Sequence, residues 1–210
     1  MKEDLSKLRK NYNSGELNQQ NLISDPFFQF DLWFKEALKE EPFEPNAMML
    51  STSNNKSKPS SRIVLLKEYS DNGFVFFTNY KSRKGLDISA NPWVSLLFYW
   101  PKLLRQVRIE GSIVKIQQKL SEEYFNSRPF ESNVAAVISK QSGIVESYSE
   151  FVNTFNNKLN EGKVKRPKHW GGFNVIPDKF EFWQGRPNRL HDRFQYEIEK
   201  RKWKINRLYP

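Results

Sequence analysis

The chain contains no cysteine. A disulfide scaffold, a thiolate nucleophile, an iron–sulfur cluster and any cysteine-ligated zinc site are thereby excluded, and the composition fits a reducing compartment. Histidine is nearly as scarce. Only His169 and His191 occur, so a His-rich metal site is excluded, no metal is expected, and a catalytic triad would have to use one of these two. The glycine-rich loops of dinucleotide-binding and Walker sites are missing, as are the H-E-x-x-H and G-x-S-x-G motifs. No apolar run reaches the ~18 residues of a membrane span; Trp93 to Trp100 is the best and falls far short. The start, Met1-Lys-Glu-Asp-Leu-Ser-Lys7, has no apolar segment of the secretory kind, and the cytoplasm is the expected location.

What is abundant is aromatic and basic. With 17 Phe, 8 Tyr and 6 Trp in 210 residues, the apolar mass sits in large rings, which argues against disorder and for a sizeable core. The length suits one domain, here residues 25–210, preceded by a polar arm over 1–24 that orders only if it docks. Basic residues number 34 against 24 acidic, a net charge of +10, and residues 163–210 alone hold 13 basic and 5 acidic side chains. Such an excess points to an anionic partner: nucleic acid, a membrane surface or a phosphorylated small molecule. A merely solvated basic surface has the same composition.

Along the chain, Asp25-Pro26 reads as a helix start, with Phe27, Phe30, Phe34, Ala37 and Leu38 on one face and Glu41-Pro42 as the stop. Strands are expected at Ala47–Ser53, Arg62–Tyr69, Gly73–Thr78, Trp93–Trp100 and Arg105–Ile116, with Asp71-Asn72-Gly73 as a hairpin turn. In the last of these, Val107, Ile109, Gly111 and Ile113 alternate with Arg108, Glu110 and Ser112, giving one dry and one wet face. Helices are expected over Ser82–Asn91, from Ser121 to Pro129, over Asn133–Lys140 and over Tyr148–Glu161, the last with Phe151, Phe155 and Leu159 in register. Strands return at Phe173–Ile176, Phe180–Gln184, His191–Tyr196 and Trp203–Leu208. The sequence lacks the regular strand–helix alternation of a doubly wound sheet, and a mainly β, α+β barrel with inserted helices fits best.

The chemistry-bearing clusters are basic residues set beside hydroxyls. Arg62 and Lys67 bracket an apolar run; five positions apart, they face opposite sides of a regular strand. Ser82-Arg83-Lys84 follows a strand and opens a helix, a plausible phosphate cradle or an ordinary N-cap with surface charge. Tyr124, Arg128 and Ser132 recur every fourth residue, with Pro129 between, so they converge only across a helix end. Arg189, His191 and Arg193 share one face if the segment is a strand, and three such groups repel unless an anion or an electron-rich ring lies there. His169 beside Trp170 reads as structural.

Together these stretches resemble the pyridoxine/pyridoxamine 5′-phosphate oxidase family of flavoenzymes. The resemblance is carried, in family order, by Arg62-Ile-Val-Leu-Leu-Lys67, Phe77-Thr-Asn79, Ser82-Arg-Lys84, Arg105-Gln-Val107, Tyr124-Phe-x-Ser-Arg-Pro129, Ser139-Lys-Gln-Ser142, Trp170-Gly-Gly172, Glu181-Phe-Trp-Gln-Gly185 and Asn188-Arg-Leu-His-Asp-Arg193. It implies a split β-barrel and a homodimer with FMN at the subunit interface. It also implies oxidation of pyridoxine or pyridoxamine 5′-phosphate to pyridoxal 5′-phosphate, with O₂ reduced to hydrogen peroxide. Position by position, it implies FMN contacts from Arg62, Lys67, Phe77, Thr78, Ser82, Arg83, Lys84, Gln106, Gln141, Ser142, Trp183 and Arg193. Substrate contacts are implied for Lys67, Tyr124, Arg128 and Ser132 at the phosphate, Arg189 and His191 at the ring as the catalytic pair, and Arg9 and Tyr12 from the arm. Two phosphorylated ligands would account for the charge without nucleic acid or membrane. The rivals are a related flavin oxidase or reductase with another ring substrate and a basic nucleic-acid-binding module, although no RNP-type signature is present.

Overall fold

The computed structural model describes Tyr12 and residues 15–210. The contacts divide the chain into two compact units. The first comprises residues up to Met48 with Leu96–Glu110 and Pro177–Pro210, and the second comprises Met49–Ser95 and Gly111–Ile176.

In the first unit, α1 (Pro26–Glu40) starts where the sequence places it: the Asp25 carboxylate accepts from the Phe27 N–H, and Pro26 sits at the first helical position. Its buried stripe is Phe30, Trp33, Phe34 and Ala37, whereas Leu38 faces outward. Trp33 meets Phe182 edge-on at 5.3 Å, Phe30 tilts against Phe98 at 5.1 Å, and the Arg105 guanidinium lies over the Trp33 ring at 4.4 Å. Residues 15–24 join this unit: Leu17 is buried, and the Ile23 carbonyl accepts from the buried Tyr196 hydroxyl at 2.9 Å.

The second unit carries β2 (Pro59–Leu65), β3 (Glu68–Ser70), β4 (Gly73–Asn79), α2 (Arg83–Ala90), α3 (Gln118–Ser127), α4 (Phe130–Ile138) and α5 (Tyr148–Asn160). β3 and β4 form the expected hairpin, Ser70 opposite Gly73 with Asp71 and Asn72 at the corner. Gly73 has φ +128°, and a Cβ there would lie 2.2 Å from the Val175 carbonyl oxygen. The remaining strands are β1 (Ala47–Ser53), β5 (Trp93–Trp100), β6 (Arg105–Lys115), β7 (Trp170–Gln184), β8 (Asp192–Glu199) and β9 (Lys202–Arg207). The strand order is β2-β1-β5-β6-β7-β4-β3, with β8 paired to β7 and β9 to β8. On β6, Val107, Ile109, Gly111 and Ile113 are buried and Arg108, Glu110 and Ser112 half-buried, as the alternation requires. The fold is thus mainly β with accompanying helices, and no helix among the described residues is long and apolar enough to cross a membrane.

Several boundaries differ from the sequence reading. The two strands expected around Pro177 are one, β7. Pro177 is tolerated because the β4 ladder ends at Val175 and the β8 ladder begins at Lys179, so neither needs its missing N–H. The strand expected over Arg62–Tyr69 is two, because Leu66 turns into the core and Lys67 donates from its backbone to the Val75 carbonyl. Ser121 does not open α3; it is buried in the middle of the helix and its hydroxyl accepts from the Gly172 N–H at 3.1 Å. α5 carries its apolar residues half-buried, with none fully enclosed.

Candidate functional site

The second unit carries a cavity of about 980 Å³ that is open to solvent. One side is built from the β4–α2 junction. Ser82 caps α2, accepting from the Gly85 N–H, and its hydroxyl donates to the Asn79 carbonyl at 2.7 Å. This makes Ser82 fully buried, and it does not line the cavity, contrary to the phosphate cradle in which its hydroxyl was expected. The cap instead aims its neighbours: Arg83 and Lys84 both line the cavity, and the Arg83 N–H donates to the Ser142 hydroxyl at 3.2 Å. Lys84 is only 8% exposed. Its ammonium reaches the Thr78 hydroxyl at 3.3 Å, the Ser82 hydroxyl at 3.4 Å and the Gln141 side-chain oxygen at 3.3 Å, all neutral acceptors. Burial, and then the neighbouring Arg62, lower its pKa. Arg62 donates to the Thr52 hydroxyl at 2.8 Å and the Ser60 hydroxyl at 2.9 Å, and lies 3.9 Å from the buried Asp87 carboxylate. Burial lowers its pKa too, with Asp87 opposing that shift and Arg83 adding to it. Three mutually repelling cations therefore border one space that no carboxylate lines among the described residues.

The other group comes from Lys67, α3 and α4. Lys67 follows the end of β2 in irregular backbone, so the opposite-face expectation fails: Lys67 and Arg62 line the same cavity. α3 ends at Ser127, Arg128 is its C-cap and Pro129 precedes α4. Tyr124, Arg128 and Ser132 thus converge on the cavity across a helix end. One Arg128 terminal nitrogen donates to the Ser132 carbonyl at 3.1 Å, while Nη1 is buried with no hydrogen-bond partner. A buried unpaired guanidinium N–H costs free energy that an anion would offset. The Phe77 side chain does more than hold its backbone: its ring stacks on Tyr124 at 3.8 Å and on Trp170 at 5.5 Å.

The first unit holds a second cluster. Arg189 and His191 are not on a strand, as the alternation required; β8 begins at Asp192, and Arg189 sits in a left-handed conformation at φ +62° within a short turn. The His191 Nδ1 accepts from the Arg186 N–H at 3.0 Å, which places the proton of the neutral ring on Nε2. Burial lowers the His191 pKa, Arg189 and Arg193 lower it further, and Asp192 opposes them. The ring centroid lies 4.6 Å from Trp183 and 5.6 Å from Tyr12. Arg193 is not an unpaired cation: it donates to Glu181 at 2.8 Å and to the Tyr209 carbonyl at 2.9 Å, and Glu181 also accepts from Arg108 at 3.1 Å. The buried Asp192 accepts from the Leu17 N–H at 3.2 Å and from Arg207 at 2.6 Å. Gln106 lies half-buried on β6 in this unit and does not line the cavity. Arg9 lies outside the described residues. Among the described residues no group of His, Asp or Glu could hold a metal ion.

Trp170, Glu181 and Asp87 were missed as contributors to these clusters. An aromatic or an acid says nothing in sequence about which cation it will face. Trp170 and Glu181 stood in matching motifs, Trp170-Gly-Gly172 and Glu181-Phe-Trp-Gln-Gly185, but Asp87 stood in none.

Comparison with known proteins places this geometry. The profile of the pyridoxamine 5′-phosphate oxidase family matches residues 34–157, and that of the pyridoxine 5′-phosphate oxidase C-terminal dimerisation region matches residues 170–210. A pyridoxine/pyridoxamine 5′-phosphate oxidase of Gloeothece citriformis is 49% identical, with all of both chains covered. The chloroplastic pyridoxine/pyridoxamine 5′-phosphate oxidase 1 of Arabidopsis thaliana is also 49% identical over the whole chain, which spans 41% of that longer protein. Among solved structures, PhzG from Burkholderia lata in complex with tetrahydrophenazine-1-carboxylic acid superposes with a TM-score of 0.89 at 26% identity, covering 94% of this chain and 99% of that one.

Proposed function

The chain belongs to the pyridoxamine 5′-phosphate oxidase family, and from that membership and the cavity we infer that it oxidises pyridoxamine and pyridoxine 5′-phosphates to pyridoxal 5′-phosphate with FMN as cofactor. The carrying observation is the cavity itself. Among the described residues it is lined by two separate sets of anion-binding groups, by no carboxylate, and by a guanidinium nitrogen without a partner. Its volume is at the upper end of the ~300–1,000 Å³ usual for ligand sites, consistent with more than one bound molecule.

Lys84, Arg62, Arg83 and Ser142 would hold the FMN phosphate, with Thr78, Gln141 and the Phe77 backbone beside the flavin; Ser82 acts through the cap rather than by contact. Lys67, Tyr124, Arg128 and Ser132 would hold the substrate phosphate. Trp183, Gln106 and Arg193 are assigned to the flavin, Arg189 and His191 to the pyridine ring, and Tyr12 to the substrate. When bound, FMN would supply the two-electron oxidant, taking one hydride from the substrate 4′ carbon while a proton leaves the amine or hydroxyl, with O₂ as the final acceptor giving hydrogen peroxide. Oxidation of the amine gives an imine, which water hydrolyses to aldehyde and ammonia; the alcohol gives aldehyde directly. The protein's part is to fix the substrate by its phosphate and ring, since hydride transfer needs close alignment. With its proton on Nε2, His191 donates a hydrogen bond to the substrate through that atom rather than taking a proton there.

The dimerisation-region match supports a homodimer, and FMN shared between its subunits is part of the proposal. So is the cytoplasm as location, because the family does not fix the compartment: the Arabidopsis relative is chloroplastic. The PhzG likeness raises a ring acid without phosphate as an alternative substrate class, which the phosphate-suited Arg128 group argues against. The direct test is aerobic turnover of the FMN-reconstituted protein. Pyridoxal 5′-phosphate and hydrogen peroxide should appear in equal amounts from either substrate. A yellow protein that forms neither would overturn the reading.

A further inference from the structure

Among the described residues, Arg128 carries the one cavity guanidinium with a buried, unpaired nitrogen, and little else holds it. The one hydrogen bond that its guanidinium makes among the described residues runs to the Ser132 carbonyl at 3.1 Å. The largest surface against it is Trp170, whose ring centroid lies 4.6 Å from the guanidinium carbon. Phe125 stands farther off at 5.9 Å. Trp170 is itself fixed from several directions. Its carbonyl accepts from Arg166 at 2.7 Å, its N–H donates to the Pro167 carbonyl at 3.0 Å, and its ring packs edge-on to Phe125 at 5.3 Å. Arg166 also reaches Glu122 of α3 at 2.7 Å, tying the helix that carries Tyr124 to the start of β7. The ladder then continues from Trp170 through Phe77 to Tyr124, and the planes of Trp170 and Tyr124 are within 4° of parallel.

We propose that Trp170 is the positioning residue for the substrate phosphate: its face orients Arg128, and its stack through Phe77 sets the plane of Tyr124. This rests on the assignment of Arg128 and Tyr124 to that phosphate. Trp170 also borders the cavity, and its role in the proposal runs through Arg128 and Tyr124. The physical basis is a cation held over the richest aromatic face in a dry setting: Trp170 is 6% exposed, and burial lowers the Arg128 pKa, with Tyr124 opposing that shift. Cation–π contacts strengthen as water is removed. Flexible arginine stems lose much rotamer freedom on fixing, so an arginine already held on a ring loses less when an anion arrives.

A purely structural tryptophan would affect stability or every ligand alike. A double-mutant cycle separates the two roles. Trp170→Leu, loaded with FMN, should raise the KM for pyridoxamine 5′-phosphate and weaken pyridoxal 5′-phosphate binding by about tenfold. Its flavin content and kcat should stay near those of the parent. In an Arg128→Ala background the same change should cost roughly twofold or less. Trp170→Phe, which keeps an aromatic face, should lie within about threefold of the parent, and that smaller effect too should vanish with Arg128→Ala. If the Leu form fails to fold, the Phe form in both backgrounds decides. Equal effects of the Trp170 changes with and without Arg128, or flavin loss at unchanged KM, would overturn the inference while leaving the oxidase reading intact. A parent protein that neither turns over nor binds these phosphates would overturn both.

Discussion

Arg128→Ala should purify yellow, with its FMN retained, while its KM for pyridoxamine 5′-phosphate rises roughly ten- to a hundredfold. The magnitude is that of a hydrogen bond to a charged group, about 1.5–3 kcal/mol, at about 1.4 kcal/mol per decade. The Arg128 guanidinium lines the cavity from the α3–α4 junction, with Nη2 spent on Ser132 and Nη1 without a partner. Removing it deletes a substrate contact and, in the free protein, relieves a buried unpaired donor. The effect should therefore fall on kcat/KM and on product affinity more than on thermal stability. Flavin titration and steady-state kinetics check this together. Loss of flavin with substrate affinity intact would show that the two sets of basic residues have been exchanged.

Lys84→Met should abolish tight FMN binding yet leave the apoprotein at least as stable as its parent. The Lys84 ammonium is buried against three neutral oxygens, with Arg62 lowering its pKa further. Holding a cation there without a counter-ion is a strain that a bound phosphate dianion relieves. A folded-state pKa below the unfolded one means that the unfolded chain binds more protons in that window. Apoprotein stability should accordingly rise as pH climbs from the lowered Lys84 pKa toward 10.5. The Met variant should lose that component of the rise. Its FMN affinity should fall about a hundredfold, the upper end for one charge-assisted contact. Calorimetry of apoprotein and variant across alkaline pH, with fluorescence titration of FMN, measures both. A destabilised variant that still binds FMN tightly would mean that Lys84 is a structural cation.

How much of this was legible in the sequence depends on the range of the forces involved. The α1 start, the β3–β4 hairpin and the β6 alternation were readable because each is decided by neighbouring residues: Asp25 and Pro26, Asp71 to Gly73, and a period of two. Residues that reach the cavity were readable as basic and hydroxyl clusters, and eleven of the twelve assigned to the FMN or the phosphate in the second unit line it, Ser82 being the exception. What failed was set by tertiary contacts. Lys67 could not be aligned with Arg62 without knowing that Leu66 turns into the core and ends the strand. Arg193 looked unpaired because Glu181 lies twelve residues away and meets it only across the β7–β8 ladder. Ser121 looked like a helix start because nothing local announces the Gly172 amide that it serves. Trp170 was visible only as part of a motif, and its place over Arg128 comes from β7 meeting the α3–α4 junction.

The most direct measurement is anaerobic. FMN-loaded protein is mixed with pyridoxamine 5′-phosphate in one syringe and with unphosphorylated pyridoxamine in another, and the flavin absorbance is followed. The phosphate ester should bleach the flavin fully, releasing one pyridoxal 5′-phosphate per FMN. The unphosphorylated amine should do so at least roughly a hundredfold less efficiently, because it forfeits the charge-assisted contacts of Lys67 and Arg128. Equal bleaching by both compounds, or none by the phosphate ester, would contradict the assignment of this cavity to a phosphorylated substrate.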